Sequence, residues 1–140
     1  MTDFGSVLVS GLEYEGGLEN KTHIKQFTSN PVKGPGLEKY TGSGTIQIHT
    51  INLTGNIQIE ATLSKDSNCG PWVIIPLTNT MNSNVSTVLN FVFPNPVPGI
   101  SSSALIQTNN FYSIVGQYAW LRANVWGIST GSVELVKLSF

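Results

Sequence analysis

The feature that most constrains this chain is the alternation of side chains from Tyr118 to Trp126. Ala119, Leu121, Ala123 and Val125 fall on one phase, and Tyr118, Trp120, Arg122, Asn124 and Trp126 on the other. Successive residues of a strand point to opposite faces of a sheet. This segment therefore predicts a strand with an apolar face that seeks a core and a second face of aromatic, Arg and Asn side chains. Tyr, Trp and Arg are enriched in contact patches, so the second face is a candidate binding surface.

The rest of the chain is punctuated in the same style. A helical period is approached only over residues 8–25, where Gly11, Gly16 and Gly17 interrupt it, and glycine is costly inside a helix. Elsewhere β-branched and aromatic runs are bounded by Gly, Pro, Asn and Ser, which reads as strands and turns. Residues 45–53 and 56–63 predict a hairpin joined at Thr54 and Gly55. In its second strand Ile57, Ile59, Ala61 and Leu63 share the buried phase. Trp72–Leu77 reads as a strand cut by Pro76, one that lies at an edge or ends there. Residues 85–93 read as the longest apolar strand, with Val85, Leu89, Phe91 and Phe93 in phase. FPNPVPG at 93–99 is a stiff extended connection, suited to a Greek-key crossover. The closing residues predict strand, GISTGS turn, strand. The expectation is an all-β, antiparallel, jelly-roll-like sandwich of about eight or nine strands over residues 44–140. Residues 1–43 hold seven of the 14 glycines and predict an irregular N-terminal arm that lies along the sheet or reaches a neighbour, the alternative being an early hairpin of the same domain. Short strands are expected at Val7–Val9 and near His23–Phe27, and a turn or loop at 31–36.

Composition narrows the function. Charged residues make up 11% of the 140, against roughly 25% in ordinary soluble domains. Ser, Thr and Asn take their place, and short neutral side chains are cheap to bury against a neighbour. A neutral extracellular β domain would look similar. Seven Lys plus Arg and a net charge of −1 offer no clustered basic groups, which argues against nucleic acid. No apolar run approaches the ~18 residues of a membrane span, and the start of the chain reads as no export signal.

Reactive chemistry is sparse. Cys69 is the one cysteine, with no basic neighbour in sequence to activate it. His23 and His49 have no companion ligands at metal spacing, so no metal or cofactor is expected. Glu60 and Glu134 are the carboxylates on confident strands. A glycosidase would need such a pair to face across a cleft, and both read as outward-facing; a small hydrolase using Glu60 is the weakest of three function classes. Binding remains, with Tyr112, Tyr118, Trp120, Arg122, Asn124 and Trp126 as candidate interface residues, one Trp beside Arg122 being placed to stack on it. Trp72, at the head of an apolar strand, reads as buried.

These residues also carry a resemblance. GNIQIEATLS, then Trp72, then FYSIVGQYAWLRANVWGISTGSVELVKLSF resemble small virion structural proteins of large tailed bacteriophages, marine ones especially. The matching positions are Gly55, Ile57, Ile59, Glu60 and Leu63, then Trp72, then Phe111, Tyr118, Trp120, Leu121, Arg122 and Gly131. The likeness covers about residues 44–140 and leaves 1–43 unexplained. It implies a β-sandwich assembled in many copies on a capsid or tail, without catalytic residues, partnered by itself (as a trimer, for example) and by other virion proteins. It also implies assembly in the bacterial cytoplasm. The chain lacks the repeat of a fibre shaft. The alternative function is a carbohydrate-binding module that uses exposed Trp and Tyr, on a tail domain that touches host glycans.

Overall fold

The computed structural model describes residues 6–13, 26–38, 42–93 and 107–140. Their elements in chain order are β1 (Ser6–Glu13), β2 (Gln26–Thr28), β3 (Val32–Lys33), a single helical turn α1 (Pro35–Glu38), β4 (Ser43–Thr62), β5 (Val73–Ile74), β6 (Leu77–Asn79), β7 (Val85–Ser86), β8 (Leu89–Phe91), β9 (Gln107–Val115) and β10 (Trp120–Ser139). The fold is all-β and antiparallel, as the alternation requires. Ten strands bond into one sheet, with a path of β1-β10-β4-β9-β6-β7 and with β2, β3, β5 and β8 attached beside it. Among the described residues no helix is long and apolar enough to cross a membrane.

The frame is a ribbon of the two 20-residue strands β4 and β10, paired from Trp120↔Thr62 to Ser139↔Thr45. Each long strand changes its outer neighbour midway. β10 pairs with β2 and β3 in its first half and β1 in its second. β4 pairs with β9 in its first half and with β8 and β5 in its second. The strands are thus shared between both halves of one sheet rather than divided between two sheets.

This corrects the expected hairpins. The chain does not reverse at Thr54–Gly55, nor at GISTGS; both segments are interior to long strands. The same residues that signal turns also signal bulges. In β4 the buried phase runs Ile46, Ile48, Thr50 and then resumes at Leu53, Gly55, Ile57. The slip falls at Asn52, whose φ is 50°. In β10 the register shifts between Trp126 and Thr130 and again before Ser132, flanked by Gly127 (φ 70°) and Gly131 (φ 75°). The two irregular stretches face each other. A Cβ at Gly131 would collide with the Asn52 carbonyl oxygen, so glycine is required there on both grounds.

The inner phases of both halves meet in one contiguous cluster that includes Ile46, Ile48, Val136 and Leu138 from one half and Ile57, Ile59, Leu121 and Val125 from the other. Leu8 and Val9 of β1 belong to it, so the described part of residues 1–43 contributes strands and core to the same sheet. Residues 31–36 hold β3 and the start of α1 rather than a plain loop. Gly34 and Gly36 donate their amides to Ala119 O (2.7 Å) and Tyr118 O (2.9 Å). A side chain at either glycine would strike the backbone of Tyr118 or Gln117. The Gly-Pro-Gly segment therefore clamps the start of β10.

Two other strands are shorter than expected. Residues 85–93 break into β7 and β8 because the chain bends at Thr87 and Val88; Leu89 is buried while Val85 is exposed. Residues 72–77 break at Pro76: Val73–Ile74 pair with β4, and the Ile75 amide donates to Ile59 O at 3.0 Å before the chain leaves it. The proline-rich crossover at 93–99 lies outside the described residues from 94 onward.

Candidate binding face

The inner phase of the 118–126 segment is buried as expected: Ala119, Leu121, Ala123 and Val125 all belong to the interior. The outer phase meets matching residues across the sheet, because directly opposed residues of antiparallel strands share a face. Trp120 lies between Thr62 and Lys33, Arg122 opposite Glu60, Asn124 between Gln58 and Thr28, and Trp126 between Asn56 and Gln26. The face extends through Glu60↔Ile74 and Asn56↔Asn90.

At its centre Arg122 Nε donates to Glu60 Oε1 at 2.7 Å, and the guanidinium lies 4.2 Å from the ring centre of Trp72. The stack expected between Arg122 and Trp120 or Trp126 is thus supplied by Trp72 instead. Residues two apart on a strand point the same way side by side, whereas the β5 pairing draws Trp72 over the Arg122 row. Trp72 is half-buried in this stack and not in the core. Trp120 is also tied down: its Nε1 donates to Lys65 O at 3.0 Å. Tyr118 donates its hydroxyl to Val115 O at 3.0 Å. Tyr112 stands apart from the other candidates. It is 5% exposed and belongs to the core, because β9 turns Tyr112 and Ile114 inward.

Toward the other end, Asn124 Oδ1 accepts from Gln26 Nε2 and Thr28 Oγ1, both at 3.3 Å. Gln26, Gln58, Asn124 and Trp126 line a recess of about 340 Å³. A second recess of about 570 Å³ opens beside β5, lined by Leu63, Pro71, Val73, Ile74, Pro76 and Tyr118 above a floor of Ala61 and Ile75. The sequence reading missed it. Leu63 was expected in the buried phase, but β4 ends at Thr62 and leaves Leu63 71% exposed, while Val73 is 59% exposed. The available signal was an apolar run interrupted by prolines on both sides, which leaves apolar side chains without a sheet to cover them.

The remaining reactive groups have local partners. Asp66 accepts from Asn68 N at 2.9 Å and from Cys69 Sγ at 3.2 Å. The Asn68 amide, then the thiol, hold the Asp66 carboxyl below its usual range. In return the hydrogen bond to Asp66 and then its negative charge push the Cys69 thiol above the ordinary 9.0. A thiol so held stays protonated and is a poor nucleophile at neutral pH. Glu60 is engaged by Arg122, and Glu134 accepts from Ser132 Oγ in the other half of the ribbon, just past its middle. His49 Nε2 lies 3.1 Å from Gln107 Oε1. Among the described residues no group of three or more His, Cys, Asp or Glu is placed to hold a metal ion.

No family model matches the chain, and no curated protein matches it. Among solved structures, that of the SPBc2 prophage-derived protein YomS is similar, with a TM-score of 0.61 over 99% of this chain and 92% of that one, at 9% sequence identity. At that identity the likeness is one of fold, and it runs from end to end of both chains.

Proposed function

We propose that this chain is a non-enzymatic structural protein of a tailed-bacteriophage particle. The observation that carries the proposal is the end-to-end fold likeness to a prophage-derived protein. The finer reading is a virion component of a large, marine-type phage, placed in the tail, the baseplate or the head decoration. There it packs in several copies, as a trimer for example, against itself and other capsid or tail subunits, after assembly in the bacterial cytoplasm. Its partners on this reading are proteins rather than nucleic acid or membrane. Support comes from the edge of the sheet. Leu63, Val73 and Ile74 expose large apolar side chains around one recess beside β5, and apolar patches on a protein surface mark interaction sites. Neutral Ser, Thr and Asn around them carry little desolvation cost on burial.

Light scattering of the purified chain and mass spectrometry of purified particles test this together. The expected result is an oligomer that Val73→Asp dissociates, and the chain's presence in the particle. A monomer at high concentration that is also missing from particles would end the proposal.

A further inference from the structure

The recess at Gln26, Gln58, Asn124 and Trp126 contains a group that the fold does not use. Gln58 is 8% exposed, and its side-chain amide makes no hydrogen bond among the described residues. That amide carries two donors and one acceptor, and buried polar groups in native proteins are nearly always paired. Its neighbours are arranged differently. Asn124 Oδ1 is occupied by Gln26 and Thr28 at 3.3 Å each, which holds the Asn124 amide in place on the row opposite Gln58. The half-buried Trp126 closes the lining. Gln58 thus faces a broad, open recess of about 340 Å³, roomier than the ~10–15 Å³ that one water needs and at the small end of ligand sites, about 300–1,000 Å³.

The lining selects a ligand class. Among the described residues its lining carries no charged side chain, and Arg122, on the neighbouring row, is engaged by Glu60 at 2.7 Å. That lining suits a neutral ligand. Amides of Gln and Asn offer a donor and an acceptor side by side, which matches adjacent hydroxyl groups. An indole offers an apolar face for a ring whose own faces are C–H. A pyranose combines both properties. We propose that Gln26, Gln58, Asn124 and Trp126 form a subsite for one neutral sugar ring of a glycan, with Gln58 hydrogen-bonding vicinal hydroxyls and Trp126 stacking on the ring. The subsite is a property of the single chain and does not depend on assembly into a particle.

The test is a ¹H–¹⁵N NMR titration of the full chain with glucose, galactose and N-acetylglucosamine, each as monosaccharide and trisaccharide, with adenosine as a parallel arm. At least one sugar is expected to give saturable shifts at the Gln58 side-chain amide and the Trp126 indole N–H. The Trp120 indole, bonded to Lys65 O, stays unmoved. Gln58→Leu removes the unused amide at similar volume, so it is expected to keep the spectrum of a folded chain and to weaken sugar binding about tenfold or more, as one lost charge-free anchor pair would. Trp126→Ala weakens it likewise. Three results overturn the proposal: no saturable shift at either probe with any sugar, undiminished binding in a folded Gln58→Leu chain, or tighter binding of adenosine than of every sugar. None of these bears on whether the chain oligomerises or enters a particle.

Discussion

At one end of the β4–β10 ribbon the outer face carries two polar pairs, Gln47 Nε2 to Asn109 Oδ1 at 2.9 Å and His49 to Gln107 at 3.1 Å, with the exposed Phe111 and the half-buried Lys137 on either side of Gln47. At the other end it carries Trp72, Arg122 and Glu60 in one stack, Trp120 and Trp126 on either side, and Gln58 with its amide unused. Beneath both ends lies the same aliphatic floor. Ile48 and Leu121 are equally buried members of one cluster. The difference teaches that one exposed aromatic and one cation among polar pairs are enough to close an outer face, whereas the second end gathers three tryptophans around an ion pair. Closing the sheet does not require such a gathering, so the clustered tryptophans of the second end call for a role beyond it.

The largest effects should come from the floor that both ends share. Leu121→Ala and Ile48→Ala each remove a fully buried side chain and are expected to cost about 2–5 kcal/mol. Urea denaturation should show one cooperative transition, lowered to a similar extent in both variants. Two separated transitions would break the comparison, because each end would then own its core.

The joint between the ends comes next. Gly131→Ala forces a side chain onto a residue at φ 75° and against the Asn52 carbonyl, with an expected cost of about 2–3 kcal/mol from left-handed strain and collision together. Gly11→Ala provides the control. Its φ is 71° but nothing lies within 4 Å of the added carbon, so only the strain, about 1 kcal/mol, remains. Equal melting-temperature shifts would mean that Asn52 yields and the joint is soft.

The outer faces should differ least in energy but most plainly in pattern. Arg122→Met leaves the Glu60 side chain, 14% exposed, without its cation. Arg122 itself is 28% exposed, so solvent screens the pair and the expected cost is about 1–2 kcal/mol, between a surface and a buried ion pair. Adding Glu60→Gln should recover part of that loss in a double-mutant cycle. At the opposite end Gln47→Ala should stay within about 0.5 kcal/mol. Similar losses at both ends would erase the distinction.

Much of this was legible in the chain itself. The alternation from Tyr118 to Trp126 placed Leu121, Ala123 and Val125 inward and Trp120, Arg122, Asn124 and Trp126 outward, because a period of two is a property of the local backbone. The continuity of β4 and β10 was not legible. Thr54–Gly55 and Gly127–Gly131 suit a tight turn and a bulge equally well, and only the partner strand decides between them. Nor was the Trp72–Arg122 stack, which joins residues 50 positions apart through the short β5. Tyr112 shows the same limit: its phase with Ile114 was readable, but the packing of β9 against β4 decides which phase faces the core.

What the sequence determined by itself was the set of faces: which side chains travel together, that they belong to strands, and that few reactive groups are present. The tertiary structure decided what each face meets. It joined two expected hairpins into one long ribbon, sank Tyr112, exposed Leu63, and left Gln58 buried with its amide unused. Facing direction follows from the torsions of neighbouring residues, whereas pairing is a competition among distant segments for the same hydrogen-bonding edges. A local pattern cannot announce the winner of that competition.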